Sequence, residues 1–249
     1  MRLAVLVVAS ACSFRSGAPS GGPGDAARDA RPTVDVSTVD AFPSDLVAYY
    51  KMDELAAIID ATGRGHDGTC TSCPTQAFGV VGDAYDFVNE RFDVAAAPDL
   101  QTESGTVATW FELDTLPTTT YACLVNAYLP GGGGADTWQI CYAGPTSSWE
   151  VYLAATPFNF GTSTTIAALE WHHLALTWTP SSAALYVDGA QVISTSCTPL
   201  EFAPAGSFTF GSDRDDNGDN DAPFPGKLDE LRLYDDALAP PQIAALATL

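Results

Sequence analysis

Between Ser44 and the C-terminus, apolar residues come in short runs, each closed by glycine, proline, asparagine or aspartate. This punctuation decides the fold class. An amphipathic helix needs ten or more residues at a period of 3.6, whereas a strand needs only a few at a period of two. The stretches LVAYYKM, AYDFV, FDVAA, GTVATWFEL, YACLVNAY, TWQICYA, WEVYLAA, WHHLALTW, AALYVDG, SFTFGS and KLDELRLYD all read as strands, and only the closing APPQIAALATL has helical character. Strands this short and numerous bury their apolar faces by stacking two antiparallel sheets. The sequence therefore predicts an all-β, antiparallel two-sheet jelly-roll sandwich over residues 44–249.

The segment before Ser44 cannot join that core. Its start, MRLAVLVVASAC, has one basic residue, a short apolar run and small residues before Cys12, which is the pattern of an export signal over residues 1–11 and is too short to span a bilayer. ASAC resembles a bacterial lipoprotein processing site, which would make Cys12 the lipidated N-terminus, although Ala9 stands where such sites carry leucine. Cleavage near Ala11 or Ala18 without lipid is the alternative. Residues 12–43, rich in Gly, Pro, Ala, Ser and Asp, bury too little surface to offset their ordering entropy and read as a disordered tether. The expected location is thus outside the cytoplasm, in the cell envelope or secreted, with membrane contact only through the lipid.

Charge narrows the partners. The formal net charge is −21, and residues 1–43 contribute none of it, because Arg2, Arg15, Arg28 and Arg31 balance Asp25, Asp29, Asp35 and Asp40. So acidic a body repels phosphate backbones and anionic headgroups, which argues against nucleic acid and membrane surfaces as partners. Divalent cations, neutral glycans and extracellular proteins remain.

Cys123 and Cys141 lie equally far from residue 132, inside the GGGG run, so a hairpin turning there pairs them across two strands and predicts a Cys123–Cys141 disulfide. TCTSCP has the spacing of a redox or zinc dithiol but lacks a second close pair or a βα context. A local Cys70–Cys73 bridge is expected, leaving Cys197 unpaired; a bridge from Cys197 to either of the two competes with it.

Four stretches together resemble a known family. WHHLALTWTPSSAALYVDGAQV is similar to the strand, turn and strand of laminin G-like jelly rolls of the concanavalin A-like lectin/glucanase type, and LVAYYKMDE with DATGRGHDG, GVVGDAYDF and GKLDELRLYDDALAPPQI follow the family in order over residues 44–249. The resemblance implies a calcium site where the first and last strands pair, drawing on Asp53, Asp60 and Asp229, with Gly63 and Gly65 turning backbone carbonyls toward the ion. Read from the residues alone, Asp60 caps its glycine-rich turn and Asp229 bonds the adjoining strand. A second, weaker calcium candidate is DRDDNGD, in which Asp213, Asp215 and Asn217 alternate before Gly218 as in the first half of an EF-hand loop. Its second half fails at Phe224, so that acid is expected mainly to face water.

Catalysis finds little support. Sugar-cleaving enzymes of this fold use three alternating acids, and FELDTL offers Glu112 and Asp114 but Leu116 in the third place, so one of the two carboxyl roles is missing. His172 and His173 are adjacent on a strand and point to opposite faces, which favours packing over a shared ion; His66 lies in a glycine-rich turn. The expectation is a non-catalytic binding module for carbohydrate or protein ligands, with Trp138, Trp149 and Tyr152, near turns, as candidates for stacking on sugar rings, although core packing is the more common use of each. A purely structural envelope component and a glycan hydrolase are the competing readings.

Overall fold

The computed structural model describes residues 13–14, 43–55, 57–128, 136–153, 156–160, 165–196, 206–213 and 222–248. Every stretch read as a strand folds as one, and all pairings are antiparallel. In the first sheet the order is β1 (Ser13–Phe14), β14 (Ala190–Ser196), β13 (Ser182–Val187), β12 (His172–Thr179), β7 (Gly105–Leu113), β16 (Gly226–Tyr234), β5 (Asp83–Phe87) and β4 (Thr75–Phe78). β2 (Leu46–Tyr50) pairs with the C-terminal half of β16. The second sheet runs β11 (Thr156–Phe160), β10 (Ser148–Leu153), β9 (Asp136–Ala143), β8 (Tyr121–Tyr128), β15 (Ser207–Phe210), β6 (Phe92–Val94) and β3 (Gly68–Thr69).

Period-two alternation fills the space between the sheets. Val107, Phe111 and Leu113 of β7 and Leu174, Leu176 and Trp178 of β12 meet Leu124, Ile140, Trp149, Phe208 and Phe210 of the second sheet in one cluster. Each such side chain contributes about 1.5–3 kcal/mol by leaving water. A smaller core lies on the opposite face of the first sheet, where Tyr49, Ala108, Ala175, Tyr186 and Tyr234 are sealed by Leu238 and by Ile243 of α1 (Pro240–Leu246). β2 is therefore buried along its whole length, which explains why LVAYY is apolar without alternation.

β3, β4, β11 and β14 were not expected as separate strands. β4 (TQAF) and β14 (AQVISTS) are polar and largely solvent-facing, so their apolar pattern is weak. Ser13 and Phe14 pair with Ser196 and Thr195, which corrects the expectation of an unstructured tether at that point; Cys12 and residues 15–42 lie outside the described residues.

Both expected disulfides are present. Cys70 and Cys73 brace the connection between β3 and β4 with Cα atoms 5.1 Å apart, and Cys123–Cys141 ties β8 to β9 at directly opposed positions, Cα to Cα 3.9 Å; Cys197 lies outside the described residues. Replacing Cys123 and Cys141 together by serine is expected to lower the unfolding free energy by about 3 kcal/mol, the loop-closure contribution of a bridge this long. Denaturant titration measures it, and a non-reducing peptide map in which both cysteines alkylate without reduction would contradict the bridge.

Candidate functional site

The face of the second sheet turned away from the core carries polar residues in register. Gln139 of β9 stands opposite Asn126 of β8, Asn126 opposite Thr209 of β15, and Thr209 opposite Asp93 of β6. Paired residues share a face, so the four side chains form one line about 14 Å long across four strands. A β-bulge between Cys123 and Val125 sets this register. Counting outward from the disulfide without it, Asn126 would face Trp138 instead.

These side chains are out of water and bonded. Asn126 and Thr209 are fully buried and Gln139 nearly so, and burial of a polar group is tolerated only when it is hydrogen-bonded. The Asn126 amide donates to Asp213 Oδ1 at 2.7 Å, the Thr209 hydroxyl donates to Asp93 Oδ1 at 2.6 Å, and the Gln139 amide reaches Cys123 Sγ at 3.3 Å. Arg91 Nε stands 4.0 Å from Asp93 Oδ2. Beside the line lie the Cys123–Cys141 bridge and buried Glu150, opposite Cys141. Of these groups the carboxylates of Asp93 and Asp213 keep partial access to solvent and can accept from sugar hydroxyl groups, while the buried amides and hydroxyl hold them in place. Sequence reading assigned Asp213 to solvent with its acidic neighbours; its bond to Asn126 corrects that. Asp215 and Asn217 lie outside the described residues.

The acids singled out for calcium sit elsewhere. Asp60 Oδ1 accepts from Tyr49 N at 3.1 Å and Thr62 N at 3.0 Å, and Oδ2 from the Thr62 hydroxyl at 2.8 Å and His66 N at 3.3 Å. Burial alone would raise its pKa; these bonds hold it below the usual carboxylate range. The turn it caps contains Gly63 and Gly65 at positive φ (71° and 91°). Asp53 and Asp229 instead grip one hairpin turn from two sides. Asp229 Oδ2 accepts from Val80 N at 2.7 Å and Val81 N at 3.0 Å, while Asp53 Oδ1 accepts from Asp83 N at 2.9 Å. A Cβ at Gly79 or Gly82 would strike these two carboxylates. Among the described residues no three His, Cys, Asp or Glu side chains converge to hold a metal; Asp60 caps its own turn, while Asp53 and Asp229 hold the hairpin turn after β4.

Asp229 is nevertheless unusual. It is fully enclosed away from solvent, its Oδ1 has no hydrogen-bond partner among the described residues, and burial pushes its pKa up to about 6. Its register partner Trp110 and the next, His173, also bury ring nitrogens without partners. His173, packed edge-on against Trp110 at 5.4 Å, is held down to about 4, chiefly by burial. His172 faces the other way, against Phe111, with Nδ1 2.9 Å from Asp188 Oδ2, and His66 Nε2 lies 3.0 Å from Asp99. The packing expected of both strand histidines is what the fold shows.

Lys227 binds Glu112 and, at 3.3 Å, Asp114, an ion-pair cluster that occupies the nearest approach to a glycosidase acid pair. Trp149 is fully buried among Phe111 and Tyr142, 5.3 and 5.5 Å away. This corrects its reading as a sugar-stacking residue: alternation along β10 sends Trp149 inward and Glu150 outward. The side chains of Trp138 and Tyr152 lie outside the described set.

Asp229 yields a pH test. In the unfolded chain it ionises near pH 4; in the fold it does so near 6. The stability it contributes is thus complete below pH 4 and lost as pH rises through 6. Asp229→Asn is expected to be more stable than the parent at pH 8 by on the order of 2–3 kcal/mol, with the difference closing toward pH 4. Guanidinium unfolding at both pH values measures this. Adding calcium at pH 8 tests the metal expectation, since an ion on Asp229 raises the parent's unfolding midpoint and leaves the variant's unchanged; no rise in the parent removes the site.

Comparison with known proteins follows the fold. A stretch of 87 residues is 36% identical to the sushi, von Willebrand factor type A, EGF and pentraxin domain-containing protein 1 of Rattus norvegicus, covering 31% of this chain and 2% of that protein. Another of 85 residues is 33% identical to pentraxin-4 of Homo sapiens, covering 31% of the chain and 18% of that protein. The chain thus spans a small part of these relatives. Domain 4 of AbnA, an extracellular arabinanase from Geobacillus stearothermophilus in complex with arabinotriose, superposes with a TM-score of 0.66 over 82% of this chain and 98% of its own, at 22% identity. Trypanosoma rangeli sialidase in complex with sialic acid does so at 0.65 over 83% of this chain and 33% of its own, at 18% identity. At such identities the likeness is one of fold. The family model matches residues 89–244, well over half of the chain, and with the two-sheet architecture it places this protein in the concanavalin A-like lectin/glucanases superfamily, in its laminin G branch.

Proposed function

We propose that this chain is an exported, non-catalytic binding module whose ligand is a neutral carbohydrate, held on the outer face of the second sheet by the partly exposed carboxylates of Asp93 and Asp213, which buried Thr209 and Asn126 position. The observation that carries the reading is the register of those residues. Four hydrogen-bonding side chains align across four strands on the one face of that sheet that does not build the core. The line suits a short oligosaccharide laid across the strands. Support comes from the fold likeness to a domain seen with arabinotriose. Carboxylates at Asp93, Asp213 and Glu150 disfavour an anionic sugar at the same place. The two disulfides fit an oxidising compartment outside the cytoplasm.

A glycan array carrying neutral and sialylated oligosaccharides, probed with the full chain, tests the reading. Saturable binding to neutral members is expected, with Asp93→Ala and Asp213→Ala each weakening it at least tenfold while circular dichroism shows both variants folded. Silence on the array together with capture of a protein partner would move the ligand to the protein class. Binding that survives both substitutions would move the site. For the tether, Cys12→Ser is expected to shift the protein from the membrane to the soluble fraction; unchanged partitioning would refute lipid anchoring.

A further inference from the structure

The open side of the sandwich carries a second candidate surface. There β4 ends the first sheet and β3 ends the second, joined by the Cys70–Cys73 loop. We propose that this side binds an extended basic peptide segment of another protein, which adds as a strand to β4 and places an apolar side chain in the cavity beside it.

Four observations support this. First, among the described residues β4 pairs with β5 alone. The Gly79 N–H bond to Gly82 O at 3.1 Å closes the hairpin, and the alternation of antiparallel ladders then directs Thr75 and Ala77 toward β5 and the N–H and C=O groups of Gln76 and Phe78 outward. The strand TQAF carries no lysine, proline or bulge of the kind that guards a free edge. Second, Phe78 on this edge is 87% exposed, Val88 just beyond β5 is 69% exposed and Leu55 is 74% exposed, an unusual density of bare apolar side chains.

Third, a cavity of about 320 Å³ lies between residues 55–58 and 68–74, walled by Leu55, Ala57, Ile58, Pro74, the Cys70–Cys73 bridge and Tyr85. The Tyr85 hydroxyl is engaged by the carbonyls of Glu54 and Ala57 at 2.8 and 3.1 Å. The wall therefore suits an apolar group, and a cavity of about 150 Å³ already admits a benzene ring. Fourth, the rim is acidic. Gln76 bonds Asp53 O at 2.6 Å and Asp83 Oδ2 at 2.8 Å, and the Glu54 carboxylate acts electrostatically on Tyr85. The negative field of Asp53 and Glu54 helps burial raise Tyr85 to about 12. Charge complementarity thus selects lysine or arginine beside the apolar anchor, and the net charge of −21 disfavours a second copy of the chain.

The probe is a fluorescein-labelled peptide Lys-Val-Lys-Leu-Lys-Val, compared with Glu-Val-Glu-Leu-Glu-Val, by fluorescence anisotropy against the full chain. Saturable binding of the basic peptide is expected, at least tenfold tighter than the acidic one, weakening with salt, with new amide-exchange protection at Gln76 and Phe78. Phe78→Pro removes an outward N–H and is expected to abolish binding; Ala57→Trp, which fills the cavity without touching the edge, is expected to weaken it at least fivefold. Circular dichroism checks that both variants fold. Equal binding of the two peptides, no binding of either, or binding indifferent to both variants would overturn the proposal. So would concentration-dependent dimerisation lost in Phe78→Pro, which would give the edge to a second copy. Neither peptide contacts the polar line of the second sheet, so failure here leaves the glycan reading standing.

Discussion

The pairing of β16 is the constraint from which most of the structure follows. This strand bonds β7 along one side, and β5 and then β2 along the other, so it joins the first strand of the body to the last and leaves none of its backbone groups at an edge. A bulge interrupts it between Asp229 and Arg232, with Glu230 at φ 55°. Such a conformation costs a non-glycine residue on the order of 1 kcal/mol and persists only where the surroundings hold it. Here they do. Both Glu230 carboxylate oxygens accept from the Tyr49 hydroxyl, at 2.7 and 2.6 Å, and Arg232 bonds the same carboxylate while lying 4.5 Å over the Tyr49 ring. The bulge brings Asp229 and Arg232 to one face, where Asp229 clamps the β4–β5 turn. The strand that closes the sheet thereby positions the hairpin whose free edge is the candidate peptide surface.

In the second sheet the corresponding role falls to a covalent bond and a bulge acting together. Cys123–Cys141 fixes β8 against β9, and the bulge just after Cys123 advances the register by one residue. The bridge alone would leave Asn126 opposite Trp138; with the bulge it meets Gln139 and the polar line becomes continuous. The bulge also lets Leu124 and Val125 both reach the core, so a packing demand and a binding geometry are met by the same irregularity.

How much of this was legible follows from which interactions are local. The positions of most strands, the closing helix and both disulfides rest on alternation and cysteine spacing, all written in nearby residues. The capping role of Asp60 was legible for the same reason, since its partners Thr62 and His66 lie within six positions. The polar line was not. Asn126, Gln139 and Thr209 each interrupt an apolar strand at an alternate position, which marks an outward face, but their alignment depends on long-range register and on a bulge that no short motif announces. Trp149 was misjudged because proximity to a turn was weighed above the alternation of SWEVYL, which sends it inward.

The acid of the body does not act as one feature. Where it meets the few cations of the fold, it holds them: Lys227 lies between Glu112 and Asp114, Arg232 on Glu230, and Arg91 near Asp93. Lys51 sits 5.8 Å over the Tyr49 ring and Arg64 bonds the carbonyl of Ser44. With 31 acidic residues against 10 basic ones, the acidic excess sets the sign of the field outside the protein. That field bears differently on the two candidate surfaces. At the polar line it leaves a neutral sugar indifferent and repels an anionic one, so selectivity there comes by exclusion. At the β4 edge it attracts a basic segment over roughly a Debye length, about 8 Å at physiological salt, before any contact forms. One charge distribution is thus compatible with both proposed partners, since the two candidate surfaces draw on different chemistry.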